Sequence, residues 1–197
     1  MAVLIRLARP ADAEAIAAIY GPYVEGSRIS FEEEWPDAGE IVRRMANRVY
    51  PWLVIEEEDR VLGYASTSPM RGRRAYRWSV ETGIYVDAAE QGRGLGRQLL
   101  AAHLELLERQ GFVTAIAGIA LPNDASVALH EKLGFTRSGT YERVGYKLGQ
   151  WTSVSLWQRD LAPRSAMPTE PVPFARLTGL NIDAGAVPQI ARPGRRQ

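Results

Sequence analysis

Val86-Asp87-Ala88-Ala89-Glu90-Gln91-Gly92-Arg93-Gly94-Leu95-Gly96-Arg97 is the most informative run in the chain, because it joins two segments of opposite periodicity. Upstream, over residues 76–86, the side chains alternate. Trp78, Val80, Thr82, Ile84 and Val86 fall on one face of a strand, and Ser79, Glu81, Gly83 and Tyr85 on the other. Glu81 is therefore a carboxylate in mid-strand. Downstream, over residues 92–110, Leu95, Leu99, Leu106 and Leu107 recur at helical spacing and predict a long amphipathic helix. A strand that feeds a helix through three glycines at alternate positions turns tightly and aims several backbone N–H groups at one point. The helix dipole adds positive potential there. Such a junction suits a phosphate. The spacing excludes the commoner nucleotide loops, since Gly-x-Gly-x-x-Gly would need glycine at Arg97 or Leu99, and the chain has no Gly-Lys-Ser/Thr run.

Around this junction strand-like and helix-like stretches alternate without an internal repeat, which predicts an α+β or α/β domain. Residues 3–9 read as a strand, 11–24 as a helix after Pro10, and 37–48 as a second helix behind Pro36. Residues 52–56 and 61–66 flank Glu58-Asp59-Arg60 as a hairpin. After the long helix come a strand at 113–119, a helix at 124–133 stopped by Gly134, and terminal strands ending at 151–161. Beyond residue 161 the pattern ceases. The last 36 of the 197 residues hold six of the 12 prolines and a single aromatic, Phe174, and read as a flexible, weakly basic tail on a domain of residues 1–161.

Lys and Arg total 24 against 23 Asp and Glu, so no overall field draws in nucleic acid or an anionic membrane, and neither partner is expected. The absence of Cys removes thiolate ligands, disulfides and thiol nucleophiles, and two His make a poor metal site. Metal-free chemistry is expected. No apolar run approaches the roughly 18 residues of a spanning helix, and residues 1–9 carry arginines where a secretory leader would be apolar, so a cytoplasmic protein is expected.

A second motif follows the glycine junction: Asn123-Asp124-Ala125-Ser126-Val127-Ala128-Leu129-His130-Glu131-Lys132-Leu133-Gly134-Phe135. The pair resembles the two signature motifs of the GNAT superfamily of acetyl-CoA-dependent N-acetyltransferases. Those motifs are Gln/Arg-x-x-Gly-x-Gly/Ala, here at Gln91, Gly94 and Gly96, and Asn-x-x-Ala/Ser-x-x-Leu-Tyr-x-Lys-x-Gly-Phe, here from Asn123. Tyr50-Pro51-Trp52-Leu53-Val54, the spacing of Arg73, Tyr76, Trp78, Glu81 and Tyr85, the run from Gly118 to Asp124, and Gly149-x-Trp151 narrow the resemblance to the phosphinothricin N-acetyltransferase subfamily, over residues 2–161. It implies a mixed, mostly antiparallel twisted sheet of about seven strands flanked by about four helices. The fourth and fifth strands, here 76–86 and 113–119, would splay around acetyl-pantetheine. Acetyl-CoA is the implied co-substrate, with backbone groups of Tyr85 and Val86 pairing with the pantetheine. N–H groups of Gln91, Gly92, Arg93, Gly94, Leu95, Gly96 and Arg97 would hold the pyrophosphate, and Asn123 and Ser126 would line the cleft. The subfamily also implies a homodimer.

Acetyl transfer from a thioester to an amine needs a neutral amine, a polarised carbonyl and a thiolate that can leave. A free amino group has a pKa of about 8 or higher, so a carboxylate that takes its proton, directly or through water, is needed nearby. Glu81 is the candidate base; partial burial would push its pKa up toward the useful range. His130 stands where many superfamily members carry the Tyr that protonates the thiolate; the subfamily shares this His, which makes it a candidate general acid or substrate-orienting group. His103 lies on the flank of the apolar stripe and is expected to pack. Arg71, Arg73, Arg74 and Arg77 crowd the loop before the fourth strand. In a chain with 22 Arg and two Lys such a run also suits a solvated loop, yet a guanidinium fork fits a carboxylate, phosphinate or sulfoximine. Arg73 and Tyr76, which match the subfamily motif, are candidate substrate contacts together with Glu81 and with Phe31 as an apolar wall. The implied acceptor is a small amino-acid analogue: phosphinothricin, methionine sulfoximine or methionine sulfone. Acetylation of a protein N-terminus, a lysine or a polyamine stays open, as does a non-catalytic acyl-CoA-binding module, against which the presence of both Glu81 and His130 counts.

Overall fold

The computed structural model of the chain describes residues 3–177. Seven strands form one sheet: β1 (Leu4–Leu7), β2 (Leu53–Glu57), β3 (Arg60–Pro69), β4 (Ser79–Val86), β5 (Thr114–Ala120), β6 (Thr136–Lys147) and β7 (Gln150–Asp160), in the order β1-β2-β3-β4-β5-β7-β6. Every neighbouring pair is antiparallel except β4 and β5, which run parallel. Four helices complete the domain: α1 (Ala13–Gly26), α2 (Ala38–Met45), α3 (Leu95–Gln110) and α4 (Asp124–Lys132).

The period-two pattern sorts the helices. Val54 and Tyr64 point to the side where Ile16, Ile19, Val24 and Ile41 pack, so α1 and α2 cover that face. Leu53, Ile55 and Ala65 point the other way, onto Leu95, Leu99 and Leu106 of α3. On the same side Val80, Ala115, Ala117 and Ile119 meet Leu100, Leu104 and Leu107 of α3, with Leu129 and Leu133 of α4 packed beside them. Each sheet face thus has its helical layer, so that the apolar side chains of both faces are buried.

Both tight hairpins use residues with positive φ: Glu58 and Asp59 between β2 and β3, and Leu148 and Gly149 between β6 and β7. These twist in the sense the strands demand. The boundaries on either side of the glycine junction differ from expectation. β4 begins at Ser79, after a 3-10 turn at Arg74–Tyr76, because Arg77 folds back to donate to the Arg74 carbonyl (3.0 Å) and stacks 3.6 Å over the Trp78 ring. α3 begins at Leu95, because Gly92 (φ 78°) and Gly94 (φ 76°) are left-handed and keep the chain out of the helix until that point.

Within the segment after residue 161, expected to be a flexible tail, residues 163–168 are exposed, but from Thr169 to Leu177 the chain docks on the domain. The Thr169 carbonyl accepts from Trp78 Nε1 (2.7 Å), Val172 exchanges bonds with Gln110 (2.8 and 2.9 Å), and Phe174 and Leu177 pack on the apolar cluster under α3. Its prolines remove local periodicity without preventing docking. The remainder of the expected tail lies outside the described residues.

Candidate active site

β4 and β5 are paired only from Ser79–Thr114 to Glu81–Ile116, after which the two strands share no further pairs. The hydrogen-bond register says which groups face the gap between them. Asp87 N donates to Leu62 O (2.8 Å), which makes Val86–Gly63 a non-hydrogen-bonded pair. Counting back in twos, the backbone groups of Thr82, Ile84 and Val86 turn toward β5. Tyr85 belongs to a hydrogen-bonded pair with Tyr64, so its N–H and C=O are consumed inside the sheet. On β4 the main-chain groups that face the gap are therefore those of Ile84 and Val86, not those of Tyr85. On β5, the bonds Leu161 N to Val113 O (2.8 Å) and Leu121 N to Ser153 O (2.9 Å) set the opposite phase, turning Ile116, Gly118 and Ala120 toward β4. Thr82 Oγ1 closes the narrow end by donating to Ile116 O (3.2 Å). What remains is a wedge with two strand edges and unspent main-chain donors and acceptors, the place for an extended, amide-bearing ligand.

Glu81 stands at the apex of that wedge, on the face covered by α1. A Cβ placed on Gly118 would sit 3.6 Å from Glu81 Oε1 and 3.5 Å from Val154, so this glycine leaves the space beside the carboxylate open. Glu81 is exposed, because the strands diverge immediately after it.

At the wide end, the glycine junction behaves as its sequence predicts. The first turn of α3 leaves its N–H groups without intrahelical partners, and no side chain caps it. Arg93 is held by Glu57 (3.0 Å) and Glu90, so it offers an anion its backbone alone. Arg97 is exposed and makes no side-chain bond among the described residues, which leaves it as the mobile cation of the junction. Leu95 is buried under the sheet and contributes only its N–H. Gln91 Nε2 donates to Tyr23 Oη (2.8 Å), and Tyr23 Oη donates to Val86 O (2.6 Å), so the last carbonyl of β4 is satisfied from α1 and its N–H remains. Tyr23, like Ile84, was not singled out in the sequence; only its helical spacing marked it. These donors fit a diphosphate followed by an amide-containing arm.

α4 answers the second motif. Asn123 Oδ1 accepts from Ser126 N (3.2 Å) and is thereby the helix cap. His130 is 3% exposed, and its ring meets Phe135 edge-on with centroids 4.9 Å apart. His130 Nδ1 lies 2.8 Å from the Ser126 carbonyl; a carbonyl only accepts, so the proton of the neutral ring sits on Nδ1. Burial lowers the His130 pKa, opposed in part by that bond. A neutral imidazole with a lone pair at Nε2 has no proton to give a thiolate there. This arrangement holds the ring against α4 and leaves Nε2 as its unengaged nitrogen.

The acceptor side is assembled from distant segments. Tyr85 lies among Tyr20, Tyr23 and Tyr64, ring centroids 4.7–5.4 Å away, and burial raises its pKa so that it stays a neutral phenol. Tyr20 Oη meets Ser30 Oγ (2.6 Å) and Glu32 (3.1 Å), tying this cluster to the loop after α1. Phe31 lies so close on Gly145 of β6 that a Cβ there would be 2.2 Å from its ring. Lys147 is buried with Nζ donating to the carbonyls of Val24 and Ser30 (the latter 2.7 Å); burial lowers its pKa. Arg28 reaches Thr152 Oγ1 (3.2 Å), and a cleft of about 320 Å³ joins Arg28 and Ile29 to Ala120, Leu121 and Leu148. Arg73 and Tyr76 stand on the 3-10 turn leading into β4. Both are exposed, and the Arg73 guanidinium has no ion pair among the described residues. His103 is buried between α3 and the sheet, its ring against Thr67 of β3 and the Pro51 carbonyl. Among the described residues no cluster of three or more His, Asp or Glu could hold a metal, and no helix is long and apolar enough to cross a membrane.

Residues 20–135 match the model of the acetyltransferase (GNAT) family. The chain is 44% identical over 177 residues to a phosphinothricin N-acetyltransferase of Streptomyces viridochromogenes, covering 86% of this chain and 94% of that one. It is 36% identical to an L-methionine sulfoximine/L-methionine sulfone acetyltransferase of Salmonella typhimurium, over 82% and 96% of the two chains. A phosphinothricin acetyltransferase of Sinorhizobium meliloti, solved in complex with AcCoA, superposes with a TM-score of 0.80 at 34% identity, over 87% of this chain and 94% of that one.

Proposed function

From the premise that this chain belongs to the GNAT acetyltransferase family, we propose that it transfers the acetyl group of acetyl-CoA to the α-amino group of a small amino-acid analogue such as phosphinothricin, methionine sulfoximine or methionine sulfone. One observation carries the reading: the single strand β4 sets Glu81 at the apex of the wedge and follows directly on the turn bearing Arg73 and Tyr76.

Acetyl-CoA supplies the thioester. N–H groups of residues 91–97, with Arg97, hold its diphosphate, and the edges at Ile84, Val86 and Gly118 hold the pantetheine arm. Asn123 and Ser126 border the same cleft. Arg73 and Tyr76 hold the acidic end of the acceptor, and Phe31 forms an apolar wall. Glu81 takes the ammonium proton, directly or through water, so that the amine attacks neutral; the new N–C bond forms as the C–S bond breaks, CoA departs as the thiolate, and the second N–H proton shed as the amide forms passes through solvent to that thiolate. Metal plays no part in this scheme, and a cytoplasmic setting with no nucleic-acid or membrane partner belongs to it. A second copy of the chain belongs to it as well: the β6–β7 hairpin exposes Tyr141, Val144, Tyr146, Leu148 and Trp151, an apolar patch that a homodimer would cover.

Thiol release from acetyl-CoA tests the reading, with phosphinothricin, methionine sulfoximine, methionine sulfone, a lysine peptide and spermidine as acceptors. Release with the amino-acid analogues alone is expected. Release only with the peptide or the polyamine would refute the acceptor assignment, and no release with any acceptor despite acetyl-CoA binding would favour a sensor. Sedimentation of the native protein reads the dimer.

A further inference from the structure

Four arginines crowd the turn before β4, and the structure treats them unequally. Glu170 receives Arg77 Nε with both carboxylate oxygens (2.7 Å each) and lies 3.4 Å from Arg74. The Arg77 bond outweighs desolvation and holds Glu170 below the usual carboxylate range. Glu170 does not arrive by accident of a loose end. The residue before it is fixed by Trp78 Nε1, and Val172 is bonded twice to Gln110 at the end of α3. Arg73 and Arg71, on the same turn, have no such partner among the described residues. The segment 169–172 thus ties the turn to the body of the domain and sets one carboxylate against two of its four cations, most closely against Arg77.

We propose that this segment is a strap on the acceptor side and that Glu170 is its positioning residue: it holds the turn carrying Arg73 and Tyr76, and it limits how strongly the turn favours acceptors with an anionic side chain. The charge-selectivity part rests on the acceptor reading given above. Arg74 and Arg77, if released, would stand within about one Debye length of an acceptor bound by Arg73, close enough to be felt at low salt and screened at high salt.

The experiment compares the full-length protein with Glu170→Gln and Glu170→Asp. One readout is kcat/KM for phosphinothricin, whose side chain is anionic, against methionine sulfone, whose side chain is uncharged. The other is amide hydrogen exchange over residues 70–78. In Glu170→Gln the ratio should rise by about threefold at low ionic strength and return toward the parent value at high salt. The acetyl-CoA KM should stay unchanged, exchange over 70–78 should quicken, and Glu170→Asp should restore the parent ratio. An unchanged low-salt ratio, or an equal change in the KM of both substrates, overturns the selectivity role. If the parent protein acetylates neither acceptor, the acceptor reading has failed and the exchange data decide the strap alone: faster exchange over 70–78 in Glu170→Gln upholds it, and unchanged exchange overturns it.

Discussion

His103 makes the stability of this fold depend on pH in a direction that can be worked out. It is 0% exposed, with Nε2 2.6 Å from Thr67 Oγ1 and 3.3 Å from the Pro51 carbonyl, while Nδ1 is buried and unpartnered. The Pro51 carbonyl can only accept, so the single proton sits on Nε2. A second proton would create a buried N–H with no acceptor. Burial accordingly lowers the His103 pKa from 6.5 to about 4. Above pH 6.5 both folded and unfolded chains hold it neutral, and it adds nothing to the pH dependence. As pH falls below 6.5 the unfolded chain takes up a proton that the folded chain refuses, so stability declines until the folded value near 4 is passed. Between pH 7.5 and pH 5.0 that decline amounts to about 2 kcal/mol from this residue alone. His103→Gln keeps a side-chain N–H for Pro51 but does not titrate. The variant should be less stable than the parent at pH 7.5, and the gap should narrow by about 2 kcal/mol at pH 5.0 when both are unfolded in urea under tryptophan fluorescence. His130, also buried and lowered, changes both proteins equally and cancels. A gap of constant size across this range would show that His103 titrates alike in the folded and unfolded chains, and the burial argument would be wrong.

Glu81→Gln should lower kcat by about a hundredfold, with the acetyl-CoA KM unchanged; stopped-assay kinetics across pH would remove Glu81 from the mechanism if turnover stayed at the parent level. Gly94→Ala forces a side chain into a left-handed residue although no atom lies within 4 Å of the new Cβ, so the cost is backbone strain of about 1 kcal/mol, not a clash. Its acetyl-CoA affinity should fall while kcat at saturation holds, as calorimetric titration and kinetics together would show. Lys147→Met keeps the buried stem but abandons the Val24 and Ser30 carbonyls. The acceptor KM should rise and the acetyl-CoA KM should not, with a thermal midpoint lower by about 4 °C; an unchanged acceptor KM would mean that the loop bearing Phe31 needs no such tether.

The features readable in the sequence were those with a local cause. Gly92 and Gly94 announce a left-handed turn before a helix because few other residues tolerate it, and the alternation through Glu81 gave the face on which that carboxylate lies. Asp37 takes the Glu40 N–H as a helix cap in the place the pattern suggested. The misplaced details share another origin. Side-chain alternation reports faces of a sheet, whereas main-chain hydrogen bonds point along it, so nothing in the period of residues 76–86 could separate Tyr85 from Ile84 as the group facing β5. The proton on His130 depends on a carbonyl one turn away and on burial against Phe135, and the docking of Glu170 on Arg77 spans 93 positions. The exposure of Glu81 follows from the divergence of β4 and β5, which is a property of the pair.

The two halves of the site are therefore built on different principles. On the acetyl-CoA side the donors proposed are main-chain groups: a helix start freed by glycine and two strand edges whose phase is fixed by pairing with β3 and β7. Such a surface survives most side-chain substitutions, provided that glycine remains where φ is positive. On the acceptor side the work falls to side chains from the loop after α1, the turn before β4, the β6–β7 hairpin and the strap, each tethered by one or two contacts such as Lys147 to Ser30 or Glu170 to Arg77. A single substitution there changes the shape or charge of the acceptor pocket without touching the acetyl-CoA cradle. On the proposed reading the acyl donor is thus set by main-chain geometry and the acceptor by a few long-range tethers, which makes Glu170 and Lys147 the two residues at which a change of acceptor preference is expected.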